Sequence, residues 1–390
     1  QLRLPREAID SHALVVGPSG AGKTTSLIVP WIRAGLELGY SVVTIDVKGD
    51  LCRQVMSGFS VDGVVTREID YRNPDSTTHW NWVNEIRGER AVDAAVSALL
   101  GLHPPPGTDP FFFDQDSRHL RGLLEWSVAG RLRAAHTTAS LIARLESQEE
   151  VVKHLSASRG AFRGLADLAD VLPEDYHKAI SGVVSKLDPL ARSSIEQLSQ
   201  RATFKLDDIG ATQSFISLVA PIADGRTSIA FSSLFINLLL HRVYDRFGSS
   251  HRPLILVIDE AARLRDRIDY GSLLSISRGA GMSVILALQD VDQFPVREER
   301  NAVLANCGTM VALKGCSAGT AEVLSLRLGT APVTSVGRSR DRGHSGLSLS
   351  TSAQPLLGAR EIMAPPFSQR AATVHAATMG DRPFLVDLHY

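Results

Sequence analysis

The segment Gly17–Thr25, GPSGAGKTT, constrains this chain more than any other stretch. It follows a short apolar run, Ala13–Val16, and leads into a helical pattern from about Lys23 to Leu38. Strand, glycine-rich turn and helix in that order form a phosphate-binding loop. The glycines let backbone N–H groups converge on phosphate oxygens, beside a helix N-terminus that favours negative charge. The expected nucleotide-binding residues are therefore Gly17, Pro18, Ser19, Gly20, Ala21, Gly22, Lys23, Thr24 and Thr25. Lys23 is expected to place its ammonium on the β- and γ-phosphates, and Thr24 to hold Mg2+ through its hydroxyl, so the expected ligands are ATP and Mg2+.

Alternating strand and helix signals follow. Ser41–Ile45 reads as a second strand, ending at Asp46 before KGD and another helix, and Gly63–Ile69 as a third. This alternation predicts a mainly parallel sheet covered on both faces. From about Arg87 to Arg201 the period changes to that of helices, as in AVDAAVSALLGL, DSRHLRGLLEWSVAGRLRAA, TASLIARLESQEEVVKHLSA and HKAISGVVSKLDPLARSSIEQLSQ. Strand signals return at Gln213–Ala220, and a helix from about Ser228 to Phe247 leads to the strongly apolar Leu254–Ile258. Further strands are expected at Ser283–Leu288, Thr309–Leu313, Ala372–Ala377 and Pro383–Leu388, with a helix at Ala318–Leu328. Arg338–His344, RSRDRGH, reads as a polar, basic loop. The expected fold class is α/β: a P-loop NTPase domain in two parts, 1–85 and 203–390, interrupted by an all-α domain at 86–202.

Asp259 and Glu260 end the most hydrophobic strand. A carboxylate there binds the metal through water, and the next orients or deprotonates the attacking water. Gln289 ends the following strand and is a candidate sensor of the γ-phosphate; an ordinary strand-end amide is the competing reading. Arg278, in SRGAG, is a candidate arginine finger reaching a neighbouring subunit, against a solvated arginine at a helix end. Asp46 either supports the metal or caps the next helix, with Asp50 a competing cap. Phe111-Phe112-Phe113 reads as core or interface of the helical domain rather than a base-stacking platform. Arg263, Arg265 and Arg267 either face a nucleic-acid channel or belong to a solvated face.

A chain of 390 residues with 44% hydrophobic and 21% charged residues has the composition of a globular protein. Its net charge of -1 means that any grip on nucleic acid must come from local basic patches. Cys52, Cys307 and Cys316 are too dispersed for a disulfide framework or a zinc site and are expected as reduced thiols. The sequence holds neither a signal peptide nor an apolar run of about 20 residues. It opens without Met, so it is expected to be part of a longer protein.

With these residues assembled, the chain resembles the type IV coupling proteins of bacterial conjugation, the TraG/TraD-like branch of the FtsK/HerA motor ATPases. VVGPSGAGKTTSLIVPWI is similar to the family's phosphate loop, and SVVTIDVKGDL to its strand followed by D-x-K-G-[ED]. LILVIDEAARL, the R-x-x-G of Arg278–Gly281, ALQD, ANCGTMVAL, TAEVLSLRLG and QPLLGAREIMAPP follow in the family's order. Departures are WNWV for the family's F-N-P-L, DEA for D-E-F, and Asp290 where Ser is usual.

The resemblance implies a RecA-like domain carrying an all-α domain and assembled as a hexameric ring, with ATP between subunits and DNA through the centre. It also implies an N-terminal membrane anchor, at the cytoplasmic face of the bacterial inner membrane, together with a relaxase or other secreted protein and a type IV secretion channel as partners. The expected activity is ATP-driven delivery of single-stranded DNA. Two rivals are a double-stranded DNA pump of the same superfamily and a platform that recruits protein substrates with ATP as an assembly switch.

Overall fold

The computed structural model describes residues 6–75, 77–129, 137–157, 163–246, 252–341, 344–365, 371–377 and 383–388. The chain divides into two compact units, residues 1–30 with 285–390, and residues 31–284.

In the first unit β1 (Ala13–Val16) lies between two parallel neighbours. One is the Ile285–Leu288 part of β6 (Met282–Leu288), the other β7 (Thr309–Leu313). Antiparallel β10 (Ala371–Ala376) pairs with β7, and β11 (Phe384–Asp387) with β10. A separate ribbon consists of β8 (Thr330–Asp341) and β9 (His344–Pro355), twelve residues each.

This ribbon corrects the expected loop at 338–344: Arg338–Asp341 close β8 and His344 opens β9, while residues 342–343 lie outside the described residues. The pairing rests on the backbone ladder and on polar cross-strand contacts. Thr334 meets Thr351 at 3.2 Å and Ser335 meets Ser350 at 2.6 Å, hydroxyl to hydroxyl. These polar pairs stand beside the exposed pair Val336 and Leu349, a mixture that leaves little of the apolar alternation by which strands are found in sequence.

In the second unit four parallel strands run in the order β5 (Leu254–Ile258), β2 (Ser41–Asp46), β4 (Ser214–Val219), β3 (Val65–Ile69). The strands SVVTID, SFISLV and LILVI are buried at every position, the signature of a parallel sheet covered on both faces. β3 carries Arg67 and Glu68 and is partly exposed, as an edge strand should be.

Between Trp82 and Asp208 the described residues form helices and 3₁₀ turns without a named strand. This stretch starts and ends at one neck, where Trp80 bridges to Phe204 and the Thr203 N–H donates to the His79 carbonyl at 3.1 Å. Trp80 packs edge-on against Phe231 and Phe235 of the helix Gly225–Asp245, with ring centroids 5.3 and 4.9 Å apart. Fully buried aromatic side chains contribute roughly 1.5–3 kcal/mol each. The WNWV segment therefore has a structural account: Asn81 caps the helix Trp82–Glu85 by accepting from Val83 N–H at 2.9 Å, and Trp82 Nε1 donates to the Thr138 hydroxyl at 3.0 Å.

The helical pattern over 138–157 is formed by two helices, Thr138–Glu146 and Gln148–Ala157, broken at Ser147. Of the two readings of Phe111 and Phe112, at the start of the helix Pro110–Ala129, core is excluded and interface stays open, since each is 59% exposed. The cysteines are free, and burial pushes Cys52 and Cys307 up to about 12 and Cys316 up to about 11, which disfavours the thiolate.

Candidate functional site

In the first unit, the end of β1 turns directly into the glycine loop, whose Gly17 N–H donates to Leu288 O at 3.2 Å. A Cβ on Gly17 would stand 2.7 Å from the Leu313 Cβ, so β7 leaves no room for a side chain there. Gly22 ends the loop at φ 91°, a left-handed conformation that glycine adopts without strain, and hands over to a π-helical turn, Lys23–Ile28. The α-helix Val29–Glu37 follows.

Lys23 is buried, with Nζ donating to the carbonyls of Gly17 at 2.6 Å and Pro18 at 3.3 Å. Thr24 is buried on the first helical turn. The N–H groups of Gly20 and Gly22 donate to no backbone carbonyl among the described residues. An ammonium, a hydroxyl and unpaired N–H groups around one turn are the donor set a polyphosphate requires.

Gln289 is exposed at the end of β6, its N–H accepted by Gln293 Oε1 at 2.9 Å. The neighbouring Asp290 caps the turn Val291–Gln293, accepting from Asp292 N–H at 3.0 Å and from the Thr320 hydroxyl at 3.2 Å. Aspartate at that position thus ties the strand end to the helix Ala318–Leu328.

In the second unit, β5 ends at the buried Asp259, whose N–H donates to Ile45 O at 3.3 Å. Glu260 follows in the left-handed region, φ 52° and ψ 49°, one of two such non-glycine residues among those described. That conformation costs on the order of 1 kcal/mol or more in a residue with a side chain. The Asp259 carboxylate accepts the Glu260 N–H at 3.1 Å, and the Glu260 carbonyl accepts the Arg263 N–H at 3.0 Å.

Around this turn lies a set of groups that no sequence signal marked. The buried Tyr71 donates its phenol to Asp224 at 2.7 Å, and Arg72 pairs with Asp70 at 2.9 Å. Burial lowers the Arg263 pKa, an effect opposed by the charge of Glu260 and by Tyr71. Burial would raise the Asp70 pKa, but its hydrogen bonds from Arg72 and Asn73 leave it below the usual range.

Asp46 resolves as a cap. Its Oδ1 accepts the N–H groups of Lys48 at 2.9 Å and Gly49 at 2.8 Å, and Oδ2 that of Leu51 at 2.8 Å, while Asp50 makes no capping bond and accepts from Gln54. Asp46→Ala is expected to lower stability by about 2 kcal/mol, the worth of a lost cap and its orphaned donors. The check is the denaturation midpoint, with the Mg2+ dependence of nucleotide binding unchanged; a lost Mg2+ dependence with full stability would restore the metal-supporting role.

Arg267 corrects the channel-or-surface choice: its Nη1 donates to the carbonyls of Ala98, at 2.6 Å, and Leu99, finishing the helix Glu89–Leu100. Arg265 pairs with Asp266 at 3.6 Å. Arg278 is exposed at the end of the helix Tyr270–Ser277 and makes no salt bridge among the described residues. Neither is there, among those residues, a cluster of three metal-ligating side chains.

A glycine loop of this geometry between a buried parallel strand and a helix, in a mainly parallel α/β fold, defines a P-loop NTPase fold. The family model for type IV secretory system conjugative DNA transfer matches residues 3–371, and the chain belongs to that family. The conjugal transfer protein TraG of Agrobacterium fabrum (strain C58 / ATCC 33970) is 23% identical over 385 residues, covering 90% of this chain and 56% of that protein. The chain thus spans little more than half the length of that relative.

Among solved structures, the unbound bacterial conjugative coupling protein TrwBdeltaN70 superposes with a TM-score of 0.74 at 21% identity, over 99% of this chain and 86% of that one. TrwB in complex with ADP and Mg2+ gives 0.70 at 21% identity, over 99% and 87%. VirB4 of Thermoanaerobacter pseudethanolicus gives 0.55 at 14% identity, over 97% and 89%. These likenesses show the RecA-like P-loop fold expected from the sequence.

Proposed function

We propose that the chain is the motor part of a coupling protein: an ATP-hydrolysing DNA translocase that delivers single-stranded DNA, with attached protein, to a type IV secretion channel during conjugation. The observation that carries this reading is the intact phosphate loop, with Lys23 buried against it, in a chain matched by the conjugative transfer family over residues 3–371.

In this reading Lys23 and the loop N–H groups bind the β- and γ-phosphates of ATP, and Thr24 and Asp259 hold Mg2+ together with phosphate and water. Mg2+ held by these residues would supply charge neutralisation on the polyphosphate. Glu260 orients water and accepts its proton. Gln289 bonds the γ-phosphate oxygens, and Arg278 of the adjacent protomer offsets charge as the transition state forms.

A hexameric ring with DNA through its centre grips phosphates, so binding is independent of sequence and sensitive to salt. The all-α segment 86–202 faces the relaxase or another secreted protein. The full-length protein is held at the cytoplasmic face of the bacterial inner membrane by a segment outside this chain; among the described residues no helix is long and apolar enough to cross a membrane.

The test is ATPase rate per subunit against protein concentration, with and without single-stranded or duplex DNA. The ring motor requires the rate to climb with both protein and single strands. A rate indifferent to both would end the proposal, and preferential stimulation by duplex would favour the double-stranded pump. Lys23→Ala is expected to lower kcat/KM about 10²-fold, the scale of losing one preorganised charge donor, and to remove the thermal shift produced by ADP. Retention of that shift would exclude Lys23 from the phosphate site.

The exposed Phe111 and Phe112 favour a second reading, the protein-recruiting platform. In it, Glu260→Gln leaves substrate delivery intact, whereas delivery by a motor stops.

A further inference from the structure

The left-handed backbone at Glu260 is braced from a distance. The Ala261 carbonyl, one residue beyond it, accepts the phenol of Tyr270 at 2.6 Å. Tyr270 is 0% exposed, so its ring is locked by packing and its hydroxyl is aimed. It is also the first residue of the helix Tyr270–Ser277. The preceding Asp269 fixes that helix start by accepting Ser272 N–H at 3.0 Å and the Ser272 hydroxyl at 2.6 Å. The helix passes straight into the turn Arg278–Ala280 and stops at Gly281, φ 72°.

One short helix therefore carries, at its start, the phenol that pins the turn after Glu260 and, at its end, the exposed Arg278. At about 1.5 Å per residue, eight residues form a strut of roughly 12 Å.

The geometry points to Tyr270 as a positioning residue for Glu260, and to the helix Tyr270–Ser277 as the rigid link between Glu260 and Arg278. The Glu260 N–H bond to the Asp259 carboxylate and the Arg263 N–H bond to the Glu260 carbonyl are local contacts; the phenol contact comes from a separate element. Without it the Ala261 carbonyl loses its tie to the helix Tyr270–Ser277, and Glu260 can leave the left-handed region for a more comfortable one. Its carboxylate would then point elsewhere. Displacement of Arg278 on meeting a neighbouring copy would reach Glu260 through the same bond. This inference rests on the reading of Glu260 as the residue that positions water.

The test is Tyr270→Phe, which keeps the ring and removes only the hydroxyl. The expected result is a fall in kcat of about tenfold, with ATP KM and ADP affinity within twofold of the parent, and faster amide exchange over Glu260–Leu264. In a Glu260→Gln background the same substitution should lower the residual rate no further, since both changes act through one group.

Unchanged kcat with unchanged exchange overturns the inference, as does a loss that simply adds to that of Glu260→Gln. If Glu260→Gln itself retains parental kcat, the underlying reading of Glu260 fails instead. Where Tyr270→Phe alters thermal stability, exchange mapped to Glu260–Leu264 decides: protection lost there first supports the brace, and loss spread evenly over the unit refutes it.

Discussion

Glu260→Gln is expected to lower kcat for ATP about 10³-fold, within the range general-base catalysis supplies, while nucleotide affinity stays within a few-fold. Glutamine has the shape of glutamate and the same backbone cost in the left-handed region, so the turn held by Asp259, Arg263 and Tyr270 should survive. It has no carboxylate to accept a proton from water. The phosphate loop, with Lys23 against Gly17 and Pro18, is untouched by the change. Phosphate release and ADP titration measured on the same preparation separate the two effects. A variant that hydrolyses within threefold of the parent would remove Glu260 from the chemistry, whatever its binding.

Arg278→Ala is expected to cost more, about 10³- to 10⁵-fold at protein concentrations where subunits associate, the range measured for arginine fingers. Folding should be unaffected, because an exposed side chain without a salt bridge among the described residues contributes less than about 0.5 kcal/mol. The sharper measurement mixes two inactive variants, Arg278→Ala and Glu260→Gln. An arginine acting on a neighbour's nucleotide gives some interfaces in which an intact Glu260 meets an intact Arg278, and part of the activity returns. An arginine acting within its own subunit gives none, and a mixture as inactive as its parts would dismiss the finger.

Both predictions draw on residues legible in the sequence, and the reason they were legible is physical. A phosphate loop must hold glycine where a neighbouring strand crowds the turn, as at Gly17 beside Leu313, and where the backbone turns left-handed, as at Gly22. Strands buried on both faces are predominantly apolar, so ALVV, SVVTID and LILVI marked themselves. Helical periodicity between residues 87 and 201 was equally plain. The ribbon of β8 and β9 was not, because its cross-strand partners include serine and threonine. For Phe111 and Phe112 the sequence left core and interface open, since apolar type alone does not distinguish core from exposed surface.

The functions of the remaining polar residues lay beyond sequence. Asp46 was ambiguous between metal and cap until three N–H groups were found on its two oxygens. Arg267 looked like part of a basic run and proved to finish a helix whose end lies far back in the chain. Tyr71 with Asp224, and Tyr270 with Ala261, carry no motif at all.

By itself the sequence determined the phosphate loop, the acidic strand end, the helical stretch and the family, because each is written in local residue type and spacing. Only the tertiary structure decided which carboxylate is spent on capping, which arginine is tied down, and what braces Glu260. Those outcomes depend on hydrogen bonds between segments that meet only after the chain has folded.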